Sequence, residues 1–183
     1  KQYAVPAIIA MTASSLYNMV DSAYIGQGVG PMAISGLAVT FPLMNLSTAF
    51  GTLVGVGAST LISVLLGQRN YSVARRVLGN VIIMNCVIGL LFMAVSLLFL
   101  DPILYFFGAS EATIPYAREY MQVVLIGNII THLYFGLNAV LRAAGHPRKA
   151  MYATILTVAL NTILDPIFIF VLDMGIRGAA IAT

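Results

Sequence analysis

Residues 77–100 read VLGNVIIMNCVIGLLFMAVSLLFL, a run of 24 residues without a charged side chain. A helix rises about 1.5 Å per residue, so about 20 residues cross a hydrocarbon core of about 30 Å. The stretch is therefore predicted to be a transmembrane helix. Four further apolar segments of at least 23 residues surround it, at 3–25, 32–66, 114–141 and 150–172, and a sixth opens near Ile176.

The whole chain has the composition of an integral membrane protein. Hydrophobic residues make up 60% of its 183 residues and charged residues 8%, with a mean hydropathy of +0.97. A water-soluble domain cannot have such a composition because it needs a polar exterior. The predicted fold class is an all-α membrane protein, a polytopic helical bundle with five complete transmembrane helices and the start of a sixth.

The segment 32–66 is longer than one crossing requires. Its 35 residues would extend about 52 Å as a helix, so it must tilt, kink or project beyond the membrane. Pro42 is the predicted kink, because proline removes a backbone donor and crowds the preceding turn. Small residues follow at every fourth position and predict close helix packing, namely Ser47, Gly51, Gly55, Ser59, Ser63 and Gly67.

The basic residues predict the orientation of the chain. With Lys1 on the cytoplasmic side, alternate crossings place seven basic residues and no acid there, namely Lys1, Arg69, Arg75, Arg76, Arg142, Arg148 and Lys149. The other side then carries Arg118, Arg177, Asp101, Glu111, Glu119 and Asp173. This asymmetry follows the positive-inside rule. Because the chain starts without methionine and stops at Thr183 within an apolar run, we expect it to be part of a longer protein.

Asp21 and Asp165 are the acidic residues that the sequence places at membrane depth, whereas Glu119, near the start of the segment 114–141, is placed on the outer side. An ionised carboxylate at membrane depth costs at least ~2.5 kcal/mol, so two of them indicate a role in moving ions or protons. Both are predicted to lie in the outer half of the membrane. Each has a polar companion four residues earlier on the same helical face, Tyr17 and Asn161 respectively. Pro166, directly after Asp165, leaves a backbone carbonyl unpaired within one turn.

These groups are hard oxygen ligands, which suit Na⁺ or a proton held between carboxylates. Thr183 and Tyr120 are predicted to reach a similar depth. The alternative is that each aspartate only satisfies a neighbouring helix. Asn128 and His132 are predicted to form interhelical hydrogen bonds rather than a proton relay, whereas Asn138 lies too close to the cytoplasmic side for the outer site.

Several motifs together resemble one transporter family. They are DSAYIG at 21–26, PLM at 42–44, GQRN at 67–70, ARRVLGN at 74–80, LRAAGHP at 141–147 and LNTILDP at 160–166. In register over nearly the whole chain, they look like the amino-terminal lobe of multidrug and toxic compound extrusion (MATE) transporters. The resemblance implies twelve helices in two lobes around a central cavity, exchanging Na⁺ or H⁺ for cationic or amphipathic drugs. Residues 1–183 would be the amino-terminal lobe, truncated within its sixth helix and without the carboxyl-terminal lobe.

The resemblance also implies which residues bind the coupling ion. The family's amino-lobe cation site corresponds to Asp21, Asn161, Asp165 and Thr183 here, and Tyr17 belongs to the same network. It implies a non-enzymatic protein of the bacterial cytoplasmic membrane without a cofactor, whose partners are lipid, drug and the second lobe, and not nucleic acid. Alternating access is the expected mechanism, with helix kinks at Pro42 and Pro166 as candidate bistable elements.

Two other functions remain open from the sequence. A flippase of lipid-linked precursors shares the general lobe architecture, but basic residues would be expected in its cavity, and the predicted membrane interior has none. An intramembrane aspartyl protease would also use two helix-borne acids that share a proton. Leu164 precedes Asp165, where a protease would favour a glycine that lets the substrate backbone approach.

Overall fold

The computed structural model describes residues 3–183, and Lys1 therefore lies outside the described residues. The elements are α1 (Ala4–Gly28), α2 (Pro31–Gly67), α3 (Tyr71–Leu98), α4 (Leu100–Phe106), α5 (Ile114–Ala143), α6 (Pro147–Pro166), a π-helical segment (Ile167–Val171) and α7 (Gly175–Ala182). Within this range the chain contains helices and turns and no β-strand. The predicted all-α class is confirmed.

Four helices are long and apolar enough to cross a membrane, namely α2, α3, α5 and α6 with its π-helical segment. The first helix, α1, is not among these four. Its 25 residues would extend about 37 Å, which is sufficient by length, but Asn18, Asp21 and Gln27 make it more polar. Large apolar side chains project from the bundle surface, as Leu98, Phe106 and Ile130 do, and such a surface suits contact with lipid.

The short helix α4 was missed by the sequence prediction, which ended the third segment at residue 100. Pro102 fits its first turn because the N–H groups there have no partner within the helix. Arg118 of α5 donates to both carboxylate oxygens of Asp101, at 2.8 Å from Nε and 2.7 Å from Nη2. The pair is about half-exposed, so it contributes at most ~1 kcal/mol while it ties α4 to α5.

Helix α2 is continuous over 37 residues, with Pro42 inside it, and it packs mainly along α5. The small-residue stripe faces this contact at Ser47, Gly51 and Gly55, which are buried. A Cβ atom at Gly55 would lie 2.6 Å from the backbone Cα and O atoms of Gly136. The predicted close packing is confirmed for this part of the stripe, since only glycine lets the two backbones approach so closely.

The contact between α2, α3 and α5 also contains a buried polar cluster. Ser47 Oγ donates to Asn128 Oδ1 and lies 3.0 Å from His132 Nε2, while Asn128 Nδ2 lies 3.4 Å from the Gly89 carbonyl. These bonds join three helices, as predicted for Asn128 and His132. Asn138 instead donates to the Ala150 carbonyl of α6 at 3.3 Å, away from the outer half of the bundle.

Candidate cation-binding site

The two membrane aspartates meet where α1 packs against α6. Asp21 is 5% exposed and Asp165 is fully buried, and their carboxyl groups lie side by side. Within residues 3–183, Asp21 Oδ1 and both Asp165 oxygens lack a hydrogen-bond donor. Buried acceptors are nearly always paired, so three bare carboxylate oxygens at one place mark a position for a donor or a cation.

Around the carboxylates, side chains of α1, α6 and α7 form a chain of hydrogen bonds. Thr183 Oγ1 donates to the Ala179 carbonyl at 2.9 Å, which uses its one hydrogen. Tyr17 must therefore be the donor in its 2.9 Å bond to Thr183 Oγ1. The Tyr17 hydroxyl in turn accepts a bond from Asn161 Nδ2 at 3.2 Å. The direction of every bond in the chain is thereby fixed.

Asn161 uses its amide nitrogen for two bonds, to the Tyr17 hydroxyl and to the Ala182 carbonyl. Both bonds orient its nitrogen, so its carbonyl oxygen remains available as an acceptor. The polar hydrogens of this network are directed at neighbouring oxygens rather than at the aspartates. The site consequently presents oxygen atoms with free lone pairs, including those of two carboxylates. Such oxygens bind a hard monovalent cation or a proton.

Tyr120 joins the site from α5. Its side chain is 1% exposed and lies next to Thr183 and close to Asp21. The structure thus brings together all six side chains for which the sequence predicted a place in the site or its supporting network, namely Tyr17, Asp21, Tyr120, Asn161, Asp165 and Thr183. They come from α1, α5, α6 and the end of α7. The contact across the α1–α6 interface places both acids at one level of the bundle, and their location in the outer half of the membrane stays a prediction.

The two predicted proline kinks have different structural outcomes. Pro42 lies inside α2, which continues through it. Pro166 is the last residue of α6, and the chain continues as a π-helical segment. Because proline has no N–H, the α-helical bond from residue 166 to the Thr162 carbonyl cannot form, and the helix type changes after this point. This change of helix type begins at Ile167, two residues after Asp165. It places the irregular backbone next to the carboxylate pair.

Two parts of the site could not be predicted from side-chain chemistry. The Ala182 carbonyl is a backbone group, and its bond to Asn161 depends on how α7 packs. Gly178 permits that packing, because a Cβ atom there would lie 2.8 Å from the backbone C and O atoms of Phe168 in the π-helical segment. A glycine five residues before Thr183 is the only sequence signal for this contact, and it is weak.

Comparison with known proteins shows which family the chain matches. The model of the MatE family matches residues 6–167. The chain is 33% identical over 181 residues to the multidrug export protein MepA of Staphylococcus haemolyticus and 34% identical over 181 residues to MepA of Staphylococcus aureus. Each alignment covers 99% of this chain and 40% of the relative. The chain therefore spans about 40% of the length of these curated relatives.

Solved structures agree with the sequence comparison. The chain superposes with a TM-score of 0.91 and 32% identity on an outward-facing multidrug resistance MATE family transporter, covering 100% of this chain and 40% of that one. A transporter of the MOP superfamily from Pyrococcus furiosus gives a TM-score of 0.92 at 32% identity, with the same coverage. The relatives are transporters and not enzymes.

Proposed function

The chain belongs to the MatE family of multidrug efflux transporters, and from that premise we propose that it forms the amino-terminal lobe of an antiporter in the bacterial cytoplasmic membrane. The proposed activity is export of cationic or amphipathic drugs in exchange for Na⁺ or H⁺. Family membership confirms the resemblance that the sequence motifs indicated. The observation that carries the coupling proposal is the buried Asp21–Asp165 pair, with three carboxylate oxygens that have no donor among the described residues.

A cation between the two carboxylates would hold α1 against α6. Without it, the two ionised carboxylates would repel each other, by an amount on the order of the 4 kcal/mol that holds for unit charges about 4 Å apart at an effective dielectric constant of about 20. Release of the cation therefore favours an arrangement in which Asp21 and Asp165 are farther apart. Drug and cation expel one another if they favour different arrangements of the lobe, which is sufficient for antiport.

Hydrogen bonds connect α6 to two other helices, so a separation of Asp21 from Asp165 would affect those helices as well. Asn161 of α6 bonds the Ala182 carbonyl of α7 and the Tyr17 hydroxyl of α1. Movement of α6 must therefore displace or break contacts to both neighbours. The π-helical segment after Pro166 is the proposed bistable element, since its backbone bonding differs from that of the helices on either side. Pro42 is the second candidate, within α2.

Reconstituted transport would test the proposal. The full-length protein is placed in liposomes loaded with a fluorescent cationic drug, and a Na⁺ or H⁺ gradient is imposed. Drug movement against the direction of cation flow is expected, and it should stop when an ionophore collapses the gradient. Drug movement that is equally fast without either gradient would contradict antiport, whereas ATP-dependent movement would place the driving force outside this site.

The identity of the coupling ion is a separate prediction. Asn161 Oδ1 and the oxygens of Thr183 and Tyr17 supplement the two carboxylates, and such neutral oxygens favour Na⁺ as a ligand. We expect isothermal titration of the full-length protein at alkaline pH to give heat with NaCl and none with choline chloride. Without a sodium-specific heat, the coupling ion would be H⁺, and the drug transport assay would still stand.

Gly178→Ala tests whether α7 must approach the π-helical segment for the site to form. The new methyl group would meet the backbone of Phe168, which cannot move aside as a side chain can. Overpacking of this kind costs about 1–3 kcal/mol. If this overpacking destabilises the Na⁺-bound arrangement relative to the Na⁺-free one, the Na⁺ affinity measured by calorimetry is expected to decrease about tenfold.

Gly79→Ala is the matched control, because a Cβ atom at Gly79 would have nothing within 4 Å. It should leave the Na⁺ affinity within twofold of wild type. Equal affinities in both variants would show that the site tolerates displacement of α7. Thermal melting without Na⁺ separates a loss of binding from a loss of folded protein.

A further inference from the structure

Helices α5 and α6 form an antiparallel hairpin, joined by residues 144–146. Two hydrogen bonds connect the helices near this turn. Asn138 Nδ2 donates to the Ala150 carbonyl at 3.3 Å, and the hydroxyl oxygens of Tyr134 and Thr154 lie 2.9 Å apart. We call these four residues the hairpin clamp. It lies apart from the cation site, and the proposed coupling mechanism does not use it.

The direction of each bond in the hairpin clamp follows from the available hydrogens. Thr154 Oγ1 donates its one hydrogen to the Ala150 carbonyl at 3.1 Å. Tyr134 must therefore be the donor in its bond to Thr154 Oγ1. Tyr134 and Asn138 lie four residues apart, on one face of α5. Helix α5 thus supplies both donors, and the first turns of α6 supply both acceptors.

The stretch of α5 that carries the hairpin clamp is held against α2 and α3. Gly136 lies between Tyr134 and Asn138 in the sequence. A Cβ atom at Gly55 of α2 would lie 2.6 Å from the Gly136 backbone, and a Cβ atom at Gly136 would overlap with the Asn85 amide of α3. Helix α5 cannot shift at this point without disturbing both neighbours. The hairpin clamp therefore ties the start of α6 to a closely packed part of the lobe.

Farther along α6, the bonding partners change. Within residues 3–183, the hydrogen bonds from α6 to α5 end at Thr154, and Asn161 bonds α1 and α7 instead. Asp165 lies eleven residues beyond Thr154, about 16 Å along the helix. A small change in the direction of α6 at Thr154 would therefore move Asp165 away from Asp21 while the start of the helix stays in place.

We propose that Tyr134 and Asn138 are positioning residues that keep the start of α6 on α5 throughout transport. The cation-dependent movement is then confined to the carboxyl-terminal part of α6, where Asp165 lies. This inference rests on the proposed antiport, in which cation release separates Asp165 from Asp21. Hinges are formed by a few residues that absorb the change in backbone direction, and the hairpin clamp places the hinge beyond Thr154. The carboxylates thus separate without sliding of the whole helix.

Drug transport by the full-length protein in liposomes would test the hairpin clamp. Thr154→Val keeps the shape of the side chain and removes the acceptor of the Tyr134 bond. Without this bond, α6 spends time in positions where Asp165 does not face Asp21, so the fraction of binding-competent protein decreases. The concentration of Na⁺ or H⁺ that gives half-maximal transport is expected to increase about two- to tenfold. The maximal rate should change by less than about twofold.

Tyr134→Phe should have the same effect, and the double variant no larger one, because both substitutions remove the same bond. Thr157→Val is the matched control, since the Thr157 hydroxyl donates to the Ala153 carbonyl of its own helix. It should transport as wild type does, and melting temperatures in detergent show whether each variant is folded. Equal increases in Thr154→Val and Thr157→Val, or none in Thr154→Val and Tyr134→Phe, would overturn the hairpin clamp.

A cross-link tests whether the start of α6 stays in place during transport. Tyr134→Cys and Thr154→Cys are combined in full-length protein from which all other cysteines, Cys86 included, have been removed. A short bifunctional thiol reagent then joins the two positions. The cross-linked protein is expected to transport drug, with a lower half-maximal cation concentration than before cross-linking. Arrest of transport by the cross-link would show that α6 leaves α5 at this point and would overturn the inference.

The same assay separates this inference from the proposed function. Wild-type protein that moves no drug with either cation gradient would contradict antiport, and the inference with it. Transport by wild type together with arrest of the cross-linked protein would leave antiport in place and exclude a fixed start of α6.

Discussion

Asp165→Asn is expected to abolish cation-coupled drug efflux while the protein still inserts and folds. The substitution preserves the size of the side chain and removes one of the two charges that face the proposed cation. Asp165 is fully buried and both of its oxygens lack a donor among the described residues, so the proposed cation is the partner that the substitution would deprive of one of its two charges. Losing one partner of a buried charge contact costs about 2–5 kcal/mol, which corresponds to at least about thirtyfold in cation affinity.

Efflux of a fluorescent drug from cells that express equal amounts of each variant measures this effect. Asp173→Asn is the matched control, because the same change is made at an exposed carboxylate. Asp173 has φ = 52°, a conformation that asparagine also adopts readily. The control should therefore transport as wild type does. Wild-type efflux from Asp165→Asn would exclude Asp165 from the coupling site.

Gly55→Ala is expected to have the largest effect on stability among single-methyl additions at the α2–α5 contact. The added Cβ atom would lie 2.6 Å from the Cα and O atoms of Gly136 and 3.0 Å from its carbonyl carbon. All three are backbone atoms, so the helices themselves must separate. Overpacking costs about 1–3 kcal/mol, and each kcal/mol lowers the melting temperature of a domain of this size by about 2–4 °C.

The melting temperature in detergent should therefore decrease by about 2–12 °C in Gly55→Ala. Gly57→Ala serves as the control on the same helix, since a Cβ atom at Gly57 would have nothing within 4 Å. Alanine favours a helix over glycine by up to about 1 kcal/mol, so Gly57→Ala should be neutral or slightly stabilising. If the two variants have the same melting temperature, the backbone contact at Gly136 does not hold α2 and α5 in place.

Most of the fold was predictable because membrane helices are defined by length and apolarity. The segments at 32–66 and 114–141 differ by at most two residues at either end from α2 and α5. The prediction failed where an element was too short to give such a signal. Helix α4 has seven residues, and the change to a π-helix after Pro166 depends on backbone bonding rather than on side-chain polarity.

The candidate site was predictable in part for a similar reason. A spacing of four residues places Tyr17 beside Asp21, and Asn161 beside Asp165, on single helices. It does not show which helices face one another, so the joining of these pairs with Thr183 came from the family resemblance. The bond from Asn161 to the Ala182 carbonyl and the close approach at Gly178 result from packing, which no side-chain pattern encodes. The role of the site in ion coupling stays a prediction.

The contact between Gly55 and Gly136 divides α2 into two unequal arms. The outer arm runs from Pro31 to Gly55, about 36 Å, and the inner arm from Gly55 to Gly67, about 18 Å. With Gly55 as the fulcrum, any pivoting of this rod sweeps its outer tip through twice the arc of its inner tip. A tilt of 10° would displace the outer tip by about 6 Å and the inner tip by about 3 Å. A small rotation about the Gly55 contact would thus open space at the outer end of α2 while its inner end moves half as far.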